Sequence, residues 1–204
     1  MKGGIKIAIL LDMKVQYQIG ALVLFALFIG TAVFTSKKNQ TAELKPHIAS
    51  EALAAKFDYL SQNGNSSCSA NFQKSIPEMS NTDHIRGSCC SPMSFHRYSE
   101  QVEGLKKYAN IPEIPPDPYD IEADLAKKLM SYYDMELTPE EQAAYDYAME
   151  NSHEKGPCCC KCWRWHVYGG LGKYLIRNYG FMGEQITEVW NLSDGCGGDE
   201  EHNH

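Results

Sequence analysis

A run of thiols directly after a helix-breaking pair is the feature of this chain that most limits how it can fold. Gly156-Pro157 cannot continue a helix. Four of the next five residues are cysteines: Cys158, Cys159, Cys160 and Cys162. Adjacent cysteines rarely bridge to each other, because the disulfide dihedral does not suit a normal trans peptide. We therefore predict a turn whose thiols share a metal ion or find several partners elsewhere in the chain.

The spacing of these thiols is typical of a soft-metal site. The pattern Cys-x-Cys occurs twice, from Cys158 to Cys160 and from Cys160 to Cys162. Thiolates this close together on a turn can converge on one ion such as Cu(I) or Zn(II). His166 lies four residues after Cys162 and is near enough to complete a mixed set of ligands. The sequence predicts copper as the bound metal, with zinc or no metal as the alternatives.

Two other interpretations of the thiols stay open. In an oxidising compartment the cysteines could form disulfides, and eight cysteines allow about a hundred full pairings. Cys159 and Cys162 also form a Cys-x-x-Cys pair, which is the motif of a thiol–disulfide oxidoreductase. In thioredoxin-like proteins that motif opens a helix inside an α/β fold. The helical pattern of this chain does not provide that context.

A second group of soft ligands precedes a predicted helix upstream. Cys89 and Cys90 come directly before Ser91-Pro92, which is typical of a helix start, where the helix field favours thiolate. Met93 and His96 are three residues apart and would share a face of the first turn. Thiolates, a thioether and an imidazole together suit copper. We predict that these residues form a second site or complete the first one.

Further candidate ligands lie outside both groups. Cys68, His84 and Cys196 could complete either site or connect the two halves of the chain. His202 and His204 belong to an acidic segment that is typical of a mobile tail. No serine–histidine–aspartate order, phosphate-binding glycine loop or histidine–glutamate zinc helix occurs, so no catalytic residue is predicted. A non-enzymatic protein is therefore the favoured interpretation.

The N-terminal segment predicts the compartment. An uncharged run from Ile19 to Phe34 is flanked by Lys14 and by Lys37-Lys38. The run is short for the roughly twenty residues of a free-standing span. No small-x-small cleavage site and no lipobox cysteine follows it, so a retained signal anchor is favoured over a cleavable signal peptide that would release a secreted protein. We expect the remaining chain to be extracytoplasmic, with the membrane and a membrane complex or metal acceptor as partners.

Helical periodicity dominates the remainder of the chain, so we predict a mainly α fold. The predicted organisation is a signal anchor (1–38), a tether (39–45), a small irregular helical domain (46–193) and a flexible tail (194–204). The expected helices cover 46–62, 91 to about 110, 120 onwards, 138–152, 167–179 and 184–192, with no β pattern. The net charge of −7 provides no basic surface for phosphates, which excludes a nucleic-acid partner.

Two of these helices have ends and faces that the sequence specifies. Ser91-Pro92 is expected to start one of them, and its buried stripe is predicted as Phe95, Tyr98, Val102, Leu105 and Tyr108. The run Thr138-Pro139-Glu140-Glu141 is a capping box, which predicts the start of the other. Its buried stripe is predicted as Ala144, Tyr147 and Ala148.

The thiol segment also resembles a known motif. The segment 157–162 resembles the Pro-Cys-Tyr-Cys-Gly-Cys (PCYCGC) motif of a bacterial family of exported lipoproteins without assigned function. Pro157, Cys158, Cys160 and Cys162 match, whereas Cys159 and Lys161 stand at the tyrosine and glycine positions. The predicted anchor replaces the family's lipid-bearing cysteine. The resemblance covers only the C-terminal part of the chain, implies an exported, metal-binding domain and supplies no catalytic residues.

Together these patterns predict a membrane-anchored, extracytoplasmic protein that binds a soft metal, for metal delivery, sequestration or sensing. The first alternative is an accessory subunit of a membrane complex, in which disulfides hold the fold together. The second is a thiol–disulfide oxidoreductase. The distances between the cysteine sulfurs distinguish the metal site from the disulfides, because a disulfide brings two sulfurs to about 2 Å.

Overall fold

The computed structural model describes residues 50–198. Residues 53–198 belong to one compact unit. The predicted anchor (1–38), the tether (39–45), His202 and His204 lie outside the described residues. Within residues 50–198, no helix is both long enough and apolar enough to cross a membrane.

The described chain is mainly helical, as predicted. It contains two short 3-10 helices, Ile76–Glu78 and Lys106–Tyr108. The elements in chain order are α1 (50–62), α2 (Ala70–Ser75), β1 (His84–Arg86), α3 (Phe95–Leu105), β2 (Asp120–Glu122), α4 (Ala123–Ser131), α5 (Pro139–Asn151), α6 (Trp163–Tyr179) and α7 (Gly183–Ser193).

A small two-stranded sheet corrects the expectation of no β structure. Strands β1 and β2 are antiparallel, with Ile85 opposite Ile121, and both of these side chains are buried. Asp120, predicted to open a helix, belongs to β2 instead, and α4 begins at Ala123. Each strand has three residues. Such short strands show no readable alternation in the sequence, because that pattern needs about four to eight residues.

The start of α5 confirms the predicted capping box. The Thr138 side chain accepts a hydrogen bond from the Glu141 backbone N–H at 3.3 Å, and the Glu141 carboxylate accepts one from the Thr138 backbone N–H at 2.8 Å. Arg177 of α6 also donates to Glu141. The Arg177 hydrogen bonds, together with the Thr138 N–H, lower the pKa of Glu141 to about 2. The capping box therefore also links α5 to α6.

Helix α3 begins later than predicted. Its first residue is Phe95 and its N-cap is Ser94, so Ser91-Pro92 lies in the preceding loop. Phe95 is exposed, although Tyr98 and Leu105 of the predicted stripe are buried. In α5 the prediction is likewise wrong at one position, because Tyr147 is exposed and its neighbour Tyr145 is buried.

Helix α6 lies at the centre of the core. Its buried side chains include Trp163, Val167, Leu171 and Leu175. Glycine has a low helix propensity, yet α6 is continuous from Trp163 although it contains Gly169, Gly170 and Gly172. The reason is close packing, because a Cβ atom at Gly170 would overlap the backbone carbonyl of Leu129 in α4. Gly170 thus lowers the helix propensity of this segment but permits the close approach of α4 and α6.

Replacing this glycine tests the close approach. Gly170→Ala is expected to lower the free energy of unfolding by about 3 kcal/mol, since overpacking costs about 1–3 kcal/mol and here the clash is with backbone. Gly64→Ala is the matched control, because the nearest atoms to a Cβ there are 3.5 Å away. Chemical denaturation of both variants measures the difference, and equal stabilities would contradict the packing described for α4 and α6.

The pKa of Glu141 predicts a contribution to stability that depends on pH. A carboxyl group whose pKa falls from 4.5 to about 2 on folding stabilises the protein above about pH 4.5, and this contribution disappears as the pH falls through about 2. Glu141→Gln should therefore flatten the decrease in Tm between pH 4.5 and pH 2. Glu140→Gln, in the same first turn, is the control. Thermal unfolding followed by circular dichroism would contradict this if both variants kept the wild-type slope.

Candidate metal centre

Four separate loops bring all eight cysteines of the chain together. One cysteine follows α1, two follow β1, four lie between α5 and α6, and one follows α7. Their sulfurs form a continuous network of contacts between 2.8 and 4.0 Å. We refer to this network as the eight-thiol cluster. Its members are Cys68, Cys89, Cys90, Cys158, Cys159, Cys160, Cys162 and Cys196.

The inner half of the cluster is shielded from solvent. Cys158, Cys162 and Cys196 are all buried. The Cys158 sulfur lies 3.3 Å from that of Cys196 and 4.0 Å from that of Cys162. The sulfur of Cys159, which is partly buried, lies 2.8 Å from that of Cys196. Cys196, which the sequence offers only as an optional ligand, is thus central to this half.

The outer half is a triangle of sulfurs that reaches the surface. Cys68 lies 3.0 Å from Cys90 and 3.0 Å from Cys160, and Cys90 lies 3.8 Å from Cys160. Cys90 is the exposed member. Cys90 also connects the two halves, because its sulfur lies 3.6 Å from that of Cys89 and 4.0 Å from that of Cys159.

The separations allow metal binding and do not correspond to disulfides. A disulfide holds its sulfurs about 2.05 Å apart, and no two cysteines are within bonding distance. Tetrahedral coordination with metal–sulfur bonds of about 2.3 Å places sulfurs about 3.8 Å apart. The separations from 3.6 to 4.0 Å match this value, and those of 2.8 to 3.3 Å are shorter. The clustered cysteines can therefore hold a metal ion.

A hydrogen-bonded pairing of two loops places Cys196. The Cys89 N–H donates to the Gly195 carbonyl at 3.3 Å, and the Ser91 N–H donates to the Cys196 carbonyl at 2.9 Å. At Gly197 the backbone φ is +82°, and a Cβ atom there would overlap the Ser91 carbonyl. Residues 195–198, which belong to the segment predicted as a tail (194–204), thus contact the loop that carries Cys89. The same pairing explains why Ser91 does not start α3.

The turn predicted for the thiol run is observed, and it is fixed on both sides. The Gly156 N–H donates to the Ser152 hydroxyl at 2.8 Å, and that hydroxyl donates to the Gly156 carbonyl at 3.0 Å. Gly156 has a φ of +153°, and a Cβ atom there would lie 2.6 Å from the ring of Trp165. The Cys162 N–H then donates to the Cys160 carbonyl at 2.8 Å, which tightens the chain just before α6.

A hydrogen-bonded loop also places Cys68. The backbone N–H groups of Asn65 and Ser66 both donate to the Arg86 carbonyl at 3.1 Å. The Ser66 hydroxyl accepts a hydrogen bond from the Trp163 indole at 3.2 Å. The loop before Cys68 is thus tied both to β1, which leads to Cys89, and to the start of α6. Local sequence reasoning could not reveal these contacts.

Arg164 is a buried cation beside the thiols. Its side chain is 1% exposed, and it donates to the backbone carbonyls of Pro118 at 2.7 Å and Gly87 at 3.1 Å. A Cβ atom at Gly195 would overlap the guanidinium, so this group packs directly on the backbone before Cys196. Among residues 50–198, the Nε of Arg164 has no hydrogen-bond partner, and the neighbouring groups whose charge acts on the guanidinium are tyrosine and cysteine side chains. Thiolates at Cys89 and Cys158 can supply negative charge beside this buried guanidinium.

The charge of Arg164 and the neighbouring thiols act together on the Cys89 thiol. A hydrogen bond with Cys158 acts to raise the pKa of Cys89, but hydrogen bonds with Cys162 and Cys196 and the charge of Arg164 outweigh it. The pKa of Cys89 therefore falls to about 6. Burial raises the pKa of Cys90 to about 11. Burial acts to raise the pKa of Cys160 as well, but hydrogen bonds from Cys68, Cys162 and other neighbouring thiols outweigh it and lower that pKa. Within the cluster, the Cys89 and Cys160 thiolates are therefore stabilised by neighbouring thiols that keep their protons.

The structure does not bring the other predicted ligands to the cluster. His96 is exposed and pairs with Glu100 at 3.3 Å. Met93 packs beside Leu60, and the His166 ring makes an edge contact with Tyr133. In residues 50–198, every group of cysteine, histidine and acidic side chains close enough to share an ion consists of cysteines only. The unpredicted contributor is Arg164, and its position two residues after Cys162 was the available signal.

Comparison with known proteins gives no relative. No protein-family model, no curated protein and no solved structure matches this chain. The class of the site therefore follows from its own geometry, which is that of an all-cysteine candidate metal centre.

Replacing Arg164 tests its structural role. Arg164→Lys keeps the charge but cannot reproduce the planar fork that reaches two carbonyls. It is expected to lower the free energy of unfolding by at least about 2 kcal/mol, because hydrogen bonds to charged groups contribute about 1.5–3 kcal/mol each. Arg86→Lys, at a partly exposed position of β1, is the matched control. Urea unfolding measures both, and a loss no larger than in the control would contradict the role assigned to the guanidinium.

Proposed function

We propose that this chain is a membrane-anchored, extracytoplasmic protein that binds a soft metal, copper first, for delivery, sequestration or sensing. The observation that carries this proposal is the convergence of all eight cysteines from four loops into one cluster. Cysteines with separate structural roles would not be expected to converge at one place. Binding of a shared metal ion explains why these cysteines do.

The donor set favours a soft ion. All candidate ligand atoms are sulfurs, since the candidate groups within residues 50–198 contain no histidine and no carboxylate. Thiolates select Cu(I), zinc and iron–sulfur centres over hard cations such as Mg²⁺ or Ca²⁺. We rank copper first, because Cu(I) suits a set of sulfur ligands in which some thiols belong to more than one group. Zinc is ranked second.

The contacts of the thiols support the metal function over the alternatives. An oxidoreductase of the Cys-x-x-Cys type would pair Cys159 with Cys162. Instead, the Cys159 sulfur contacts those of Cys196 and Cys90, and the Cys162 sulfur contacts that of Cys158. A protein held together by disulfides would pair its cysteines two by two. Here Cys90 contacts four other cysteine sulfurs, which favours a shared ligand over separate pairs.

The proposed location is consistent with such a site. The proposed anchor in residues 1–38 would place the cluster in an oxidising compartment, where free thiols tend to form disulfides. A bound metal keeps the sulfurs as ligands and contributes its binding free energy to folding. The resemblance of residues 157–162 to the exported PCYCGC family supports the same location.

Metal analysis of protein purified anaerobically and without reductant tests the proposal. Native mass spectrometry is expected to show copper on the chain, and its thiols should react with alkylating reagents only after a chelator removes the copper. Recovery of metal-free protein in which every cysteine is in a disulfide would contradict the proposal. Zinc in place of copper would contradict only the choice of metal.

Two variants separate cluster ligands from the other predicted ligands. Even groups outside the ligand shell change metal affinity by about 10–100-fold, so Cys90→Ser should weaken copper binding at least about tenfold. The substitution is at an exposed position and should not disturb folding. His96→Ala is expected to leave affinity unchanged because its ring pairs with Glu100. A competition titration with a chromophoric Cu(I) chelator measures the copper affinity of both variants. A larger loss of affinity in His96→Ala than in Cys90→Ser would contradict the assignment of the site.

A further inference from the structure

Several cysteines of the eight-thiol cluster belong to more than one potential metal site. Cys68 is close enough to share an ion with Cys89 and Cys162, and also with Cys90 and Cys160. Cys89 and Cys90 form a further such group with Cys196. Sites that have a ligand in common can be filled together only if that thiolate bridges two ions. The geometry is therefore that of overlapping sites rather than of separate ones.

One ion cannot use all of these thiols. A structural metal site of the zinc type closes with about four ligands, whereas the cluster has eight cysteines. A single ion would leave the remaining sulfurs packed against it without partners, several of them buried. Resting on the function proposed above, we propose that the cluster binds two or more Cu(I) ions as one polynuclear centre with bridging thiolates.

The two halves of this centre differ in their access to solvent. The inner half, with Cys158, Cys162 and Cys196, is buried, and the outer triangle contains the exposed Cys90. A copper acceptor must displace ligands by direct attack, so only the outer triangle is open to it. The outer triangle is the exchange position of the centre, and the inner half retains its copper.

The surrounding charge fits a polynuclear thiolate centre. The negative charge of the cysteine thiolates exceeds the positive charge of a few Cu(I) ions, so the copper-loaded cluster has a net negative charge. Arg164 is the buried cation on the inner side, and it contacts the backbone at Gly195 beside Cys196. Within the described part of the chain, the neighbouring groups whose charge acts on its guanidinium are tyrosine and cysteine side chains. The anionic centre would supply the counter-charge.

A stoichiometric titration tests the number of ions. Full-length protein, reduced and kept anaerobic, is titrated with Cu(I) supplied as its acetonitrile complex, and native mass spectrometry counts the ions. The expected result is a dominant species with two or more copper ions and copper–copper scattering in the X-ray absorption spectrum. Saturation at one copper ion would overturn the polynuclear centre while leaving the proposed function intact. No retained copper would overturn both.

Removal kinetics test the exchange position. A water-soluble Cu(I) chelator added to the loaded wild-type protein is expected to remove copper in a fast and a slow phase. Cys90→Ser should lose most of the fast phase and keep the slow one, and His96→Ala should behave like the wild type. Circular dichroism confirms that both variants are folded. A single phase in the wild type, or loss of all copper in Cys90→Ser, would overturn the assignment of the outer triangle.

Discussion

The guanidinium of Arg164 is the interaction on which the arrangement of the site depends. It joins the carbonyl of Gly87, which leads to Cys89, and the carbonyl of Pro118, which leads to β2. It also packs on Gly195, which leads to Cys196. Arg164 itself lies two residues after Cys162 at the start of α6. A single buried side chain thus fixes three loops relative to the helix that follows the thiol run, and its planar fork makes this possible.

The same side chain contributes to the electrostatics of the cluster, beside the larger effect of hydrogen bonds between the thiols. Thiols packed together resist ionisation, since each new thiolate repels the next. The charge of Arg164 helps to offset this at Cys89, whose pKa is the one lowered to about 6. A metal ion offsets it more completely, because every coordinated sulfur is then ionised. Protein charge and metal charge therefore act in the same direction, and both favour a compact set of sulfurs.

The sequence predicts local structure here better than it predicts the site. The Thr138–Glu141 capping box is correct because every group it needs lies within one turn of helix. Ser91-Pro92 carries a similar local signal and does not start a helix, because the partner of Ser91 is Cys196 at the other end of the domain. Helical spacing suggested Met93 and His96 as ligands, whereas tertiary loop pairing brought in Cys68 and Cys196. Sequence patterns contain no information on such pairings.

The order of the ligands along the chain has a consequence for assembly. The cluster takes its first cysteine at position 68 and its last at position 196, so it spans nearly the whole described domain. Contacts of such large sequence separation form late in folding, because the closure of long loops must come first. A chain emerging from the ribosome N-terminus first cannot complete the inner half before Cys196 has appeared. Premature capture of metal by a growing chain would therefore be limited to incomplete and weaker sites.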